Sequence, residues 1–197
     1  MRKTIFFQLL FCFAVISVPA QEVSVVVKYT TSPALNEKSL IFYDNNKKLI
    51  WDDFKARPDD NMNAAALTDA GFGYGSTFSN ADGKSELTIT VYCDFDEKDS
   101  WVKPIGRNDY ILKHEQHHFD ISYICTLLFI KKLRETKFTS SNYNKLIREA
   151  YQETAANMTS MQNQYDAETH NGILKDKQEE WSNKIDKELE SMQAIKQ

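Results

Sequence analysis

The chain has 197 residues, with 24 basic and 28 acidic side chains and a formal net charge of −4. That balance argues against nucleic acid and anionic membranes as partners, because both demand a basic face. The length suits one domain built around one core.

Residues 1–20 read as a secretory signal peptide. Arg2 and Lys3 precede the apolar run "TIFFQLLFCFAVISV", and "VPA" offers small residues for cleavage after Ala20. An apolar run of about 15 residues is short for a bilayer span, which needs about 20. Phe11, directly before Cys12, is too large for a lipoprotein cleavage site. The expected mature chain is a single domain over 21–197, exported to the periplasm or beyond. It makes no stable membrane insertion after cleavage, and its oligomeric state is left open. Two cysteines remain in it, Cys93 and Cys125. An oxidising compartment lets them pair, but two separate buried thiols are the leading expectation.

The first half of the mature chain reads as strands. "EVSVVVKY" is rich in Val, and "SLIFYDNNKKLIW" suggests two short strands around an Asn-Asn turn. "DDFKARPDDNMNAAA" is polar and loop-like. "ALTDAGFGYGSTF" carries three glycines among aromatics, so its backbone is expected to bulge or to lie close to a neighbour. "SELTITVYCDFD" alternates, with Leu87, Ile89, Val91, Cys93 and Phe95 on one face. "DSWVKPIG" is a connection.

The second half reads as helices. Asn108 or Asp109 caps a helix reaching about Thr136. Its apolar line is Ile111, His114, His118, Ile121, Cys125 and Leu128. A second helix runs from about Tyr143 towards Asp166, and Gly172 marks a turn. A third starts near Lys175, with Trp181, Ile185, Leu189 and Met192 as its stripe. The predicted fold is α+β: a mostly antiparallel sheet packed on a long central helix, then two further helices.

His114, Glu115 and His118 form the pattern H-E-x-x-H. Residues four apart on a helix share a face one turn apart, so two imidazoles can reach one zinc ion. The glutamate, rotated by about 100°, stays off the ion but near the water it holds. The spacing supplies two Zn2+ ligands and a general base for hydrolysis. A buried helix face is also a costly place for these groups unless something satisfies them. A catalytic zinc keeps a third protein ligand, and the candidates are Asp166, Glu168 and His170 in "NQYDAETHNG". His117 faces sideways and reads as a surface or supporting residue. Asp120 points away from the metal and reads as a partner in an ion pair or hydrogen bond that fixes the helix.

These segments resemble a bacterial family of unknown function described as predicted zinc-dependent proteases. The likeness is carried by "LIWDDFKARP", "AAALTDAGFGY", "SWV", "LKHEQHHFDI", "YDAETHNG" and "KQEEW", and it covers most of the mature chain. It implies a zincin-like metallopeptidase fold, in which an edge strand binds extended substrate. "AALTDAGFGYGSTF" and "ELTITVYCDF" are both candidates for that strand. The resemblance also implies His114 and His118 as zinc ligands and Glu115 as the base. The family pattern keeps a histidine two positions after the threonine of "YDxET", where this chain has Asn171. Asp166 is therefore the expected third ligand and His170 the alternative. Tyr165 is a candidate oxyanion donor.

Two functions follow as expectations. One is an exported zinc-dependent hydrolase, a metallopeptidase acting on peptide or protein. The other is a catalytically inactive zincin-like module that binds peptide or glycan in the cell envelope.

Overall fold

The long hairpin at the centre of the protein is set by two residues. Asp82 and Gly83 both take positive φ, 52° and 73°, the conformation a two-residue hairpin loop requires. They join β4 (Ala70–Ala81) to β5 (Lys84–Asp96), paired antiparallel from Ala70↔Phe95 to Ala81↔Lys84. The structure, a computed structural model, describes residues 23–35, 39–192 and 195. The expected signal peptide over 1–20 lies outside them.

β5 is the middle strand. One of its edges carries β4. The other carries β1 (Val23–Tyr29), parallel to it, and β2 (Leu40–Phe42), antiparallel to it. β3 (Ala66–Leu67) pairs apart from this sheet with β6 (Trp101–Val102). The alternation in β5 does what its pattern predicts. Leu87, Ile89, Val91, Cys93 and Phe95 are all fully buried, each large apolar side chain contributing roughly 1.5–3 kcal/mol. Only part of "SLIFYDNNKKLIW" is strand. After β2 there is a turn with a bridge between Asp44 and Lys47, and Trp51–Asp53 form a short 3-10 turn. Gly73 confirms the close approach expected of the glycine-rich segment, because the Tyr92 ring occupies the space a Cβ would need.

Three helices follow: α1 (Asp109–Glu135), α2 (Tyr143–Thr169) and α3 (Lys175–Ser191). Asn108 caps α1, its Oδ1 accepting from the Ile111 N–H at 3.0 Å, a bond typically worth about 1 kcal/mol. α1 packs on the sheet with one side and on α2 and α3 with others. It is consequently buried nearly all round from His114 to Leu133. Asp120 is buried in a bonding role, as expected. It accepts from Tyr43 Oη at 2.7 Å, from Gln116 Nε2 at 2.9 Å and from Lys48 Nζ at 3.3 Å. This ties the segment after β2 onto α1. Cys93 and Cys125 are both free and buried, so no disulfide forms between them. Burial pushes the Cys125 thiol up to about 12. Among the described residues no helix is long and apolar enough to cross a membrane.

Candidate metal centre

α1 presents His114 and His118 one turn apart, and α2 brings Asp166 across to them. His114 Nε2 lies 3.2 Å from Asp166 Oδ1, His118 Nε2 lies 3.1 Å from the same oxygen, and the two Nε2 atoms are 3.3 Å apart. Three ligand atoms at these separations match one face of a tetrahedron. Bonds of 2.0–2.1 Å to a zinc ion place its ligands about 3.3 Å from one another.

The proton positions strengthen this. His114 Nδ1 donates to Gln178 Oε1 at 2.8 Å and His118 Nδ1 donates to Gln162 Oε1 at 2.5 Å. Both rings then carry their proton on Nδ1, and both Nε2 lone pairs point at the same place as Asp166 Oδ1. That oxygen is buried and has no hydrogen-bond donor. Three converging lone pairs without a proton between them repel one another unless a cation sits among them. His114, His118 and Asp166 form the one such group of possible metal ligands among the described residues. Burial alone would raise the Asp166 carboxyl, but the two imidazoles more than offset this and hold it below the ordinary carboxylate range. Burial lowers His118, and the facing Asp166 carboxylate and the nearby Glu115 raise it by more.

Glu115 faces the same cleft, a cavity of about 350 Å³ whose lining includes His114, Glu115, His118, Asp166 and the segment from Ala64 to Ala70. Thr68 Oγ1 donates to Glu115 Oε2 at 2.7 Å, which fixes the carboxylate. β5 is covered on both edges. Of the two candidate edge strands only β4, with the segment leading into it, keeps an edge without a strand partner among the described residues.

The other residues singled out in the sequence lie outside this group of three. His170 does not join His114, His118 and Asp166. It is the left-handed C-cap of α2, with φ 50°, and lies exposed outside the ligand group. Glu168 also turns elsewhere, accepting from Trp181 Nε1 at 2.8 Å. Tyr165 is fully buried and stacks on the His114 ring at 4.6 Å. Its hydroxyl accepts from Gln178 Nε2 at 2.5 Å, beneath the helix, so it does not face the cleft as an oxyanion donor. Of the two places expected for His117, surface or supporting, it takes the supporting one. It is 2 % exposed, and its Nδ1 accepts from Gln178 Nε2 at 3.1 Å.

Gln162, Gln178 and Thr68 were not anticipated. Gln178 does lie in "KQEEW", and Gln162 stands one turn before Asp166 on the same face of α2. Neither position carries a signal of its own in the sequence.

The turn after α2 also shapes the centre. His170, Asn171 and Gly172 all have positive φ. Thr169 Oγ1 accepts from the Gly172 N–H at 3.1 Å, and Gly172 O accepts from Tyr110 Oη at 2.6 Å. A Cβ on Gly172, φ +80°, would sit 3.2 Å from both Cγ and Nδ1 of His114. Gly172→Ala should therefore cost about 1–2 kcal/mol in left-handed strain and press on the His114 ring. The expected result is a lower melting temperature together with weaker zinc binding. Unchanged zinc affinity would show that the turn does not position the ligand.

Burial, with Lys113 acting in the same direction, pushes His117 from 6.5 down to about 3. Between those values the unfolded chain binds a proton that the folded chain refuses. Stability should thus fall as pH drops from about 6.5 towards about 3. Denaturant melts across that range should show a shallower slope for His117→Asn. An identical slope would assign the pH dependence to another group.

In comparisons with family models, with curated proteins and with solved structures, nothing matches this chain.

Proposed function

We propose that the protein is an exported zinc-dependent hydrolase, a metallopeptidase acting on peptide or protein substrates. One observation carries the reading. A glutamate carboxylate fixed by Thr68 opens into the same cleft as three converging ligand atoms. His114, His118 and Asp166 would hold the ion. Bound there, zinc would polarise a scissile carbonyl and lower the pKa of the water in its open fourth position. Glu115 takes the proton of the attacking water and passes it to the leaving amine. Gln162 and Gln178 keep the two imidazoles turned towards the ion. The backbone leading into β4 forms the wall along which an extended chain would lie. Export rests on the leader-like residues 1–20.

Zinc analysis of the purified mature chain tests this. About one zinc per chain is expected, and loss of it in the His114→Ala, His118→Ala double variant. Equal zinc in both proteins would overturn the assignment.

The second reading, a catalytically inactive envelope module that binds peptide or glycan, draws on one observation. Tyr165 is turned away from the cleft and offers no oxyanion donor there. The behaviour of a Glu115 variant separates the two.

A further inference from the structure

The two histidine ligands are anchored by amides of unequal freedom. Gln162 Nε2 donates to His118 O at 2.9 Å and to Ser122 Oγ at 3.2 Å. A backbone carbonyl can only accept, so this amide cannot turn over without facing its own oxygen to another oxygen. Its Oε1 must stay on His118 Nδ1, and His118 keeps its proton there.

Gln178 is differently placed. Its Nε2 donates to Tyr165 Oη at 2.5 Å and to His117 Nδ1 at 3.1 Å. Both partners can either donate or accept. The Tyr165 hydroxyl rotates, and the His117 proton can sit on either nitrogen. If the Gln178 amide turns over, its oxygen accepts from Tyr165 Oη–H and from His117 Nδ1–H, and its nitrogen donates to His114 Nδ1. His114 then carries its proton on Nε2, 3.2 Å from the donorless Asp166 Oδ1. Gln178, Tyr165, His117 and His114 Nδ1 find partners in both arrangements. The first leaves His114 Nε2 free for a cation, and the second closes the centre on itself with a hydrogen bond to Asp166.

We propose that Gln178 is a positioning residue with two amide orientations, one for the metal-loaded centre and one for the metal-free centre, and that His117 and Tyr165 are the adaptable partners that permit both. His118 is held ready for metal by Gln162 in either state, and His114 is the ligand that switches. This assigns a role to His117, the middle histidine of "HEQHH", which stands outside the ligand group. The inference rests on the metal-centre reading but not on peptidase activity.

Nitrogen-15 NMR of the histidine rings, recorded on the full chain without metal and after adding zinc alone, tests it directly. The expected result is His118 protonated at Nδ1 in both states, with His114 protonated at Nε2 before zinc and at Nδ1 after. His114 protonated at Nδ1 in both states would overturn the two-orientation proposal. Zinc titration of two variants supplies an independent reading. Gln178→Leu removes the anchor and should weaken zinc binding by about 10–100-fold. Gln178→Glu, which accepts from all three partners, should restore tight binding. Zinc affinity unchanged in Gln178→Leu would overturn the positioning role. If Gln178→Leu fails to fold, Gln178→Glu still decides, because its carboxylate should hold His114 in the Nδ1–H form even without metal. A chain that binds no zinc at all would overturn both readings, whereas a chain that binds zinc, shows the expected ring states and cuts nothing would overturn the hydrolase reading alone.

Discussion

A Glu115→Gln chain should lose hydrolysis by about 10²–10⁴-fold while keeping its zinc. Glu115 is 4 % exposed and its carboxylate accepts from Thr68 Oγ1. Glutamine preserves that bond through its own oxygen and preserves the volume, so the fold and the ligand triangle should survive. Only the capacity to accept a proton is removed. The measurement pairs turnover of a broad peptide library with metal content. Undiminished turnover would show that Glu115 is not the base. If the unmodified chain holds zinc and cuts nothing, while both proteins bind the same peptides or glycans, the envelope binding module becomes the better reading.

The largest effect on stability should come from Phe129→Ala. Phe129 is fully buried on α1, with the rings of Phe72, Tyr74 and Tyr151 at centroid distances of 5.4, 5.7 and 6.0 Å. It joins α1 to β4 and α2 at once. Removing it should cost about 3–5 kcal/mol. For a chain of this length that is a fall in melting temperature of roughly 6–20 °C. Phe129 lies three turns beyond His118, about 16 Å along the helix. Zinc stoichiometry below the melting transition should therefore be unchanged. A shift of only a degree or two would mean that the aromatic cluster repacks around the gap.

What could be read in advance depended on how local each signal was. The β5 alternation and the Asn108 cap involve neighbours in sequence, and both form as the pattern implies. The Asp82–Gly83 hairpin turn was equally local, a strong signal in plain view that the strand reading did not use. The parallel pairing of β1 with β5 depends on a partner more than sixty residues away, and composition carries no trace of it. His117 was left open between a surface and a supporting place because the helix was read as having one buried stripe, whereas α1 is enclosed by the sheet, α2 and α3. The third ligand was open between Asp166 and His170 for a similar reason. Spacing alone does not show that α2 ends at Thr169 and that the next residue turns left-handed and outward. The glutamines were illegible altogether, since an amide's role is decided by what it meets in the folded protein.

The centre is also spread along the chain in a way that bears on how it is made. Gln178 on α3 reaches back 64 residues to His114. During synthesis His114, Glu115 and His118 emerge well before Asp166, and Gln178 emerges later still. Until α3 has appeared and docked, His114 Nδ1 lacks the Gln178 partner that turns its ring. A nascent or prematurely cut chain carries the recognisable motif without the finished centre. If the centre binds a metal as proposed, it would be complete only once the last helix has docked.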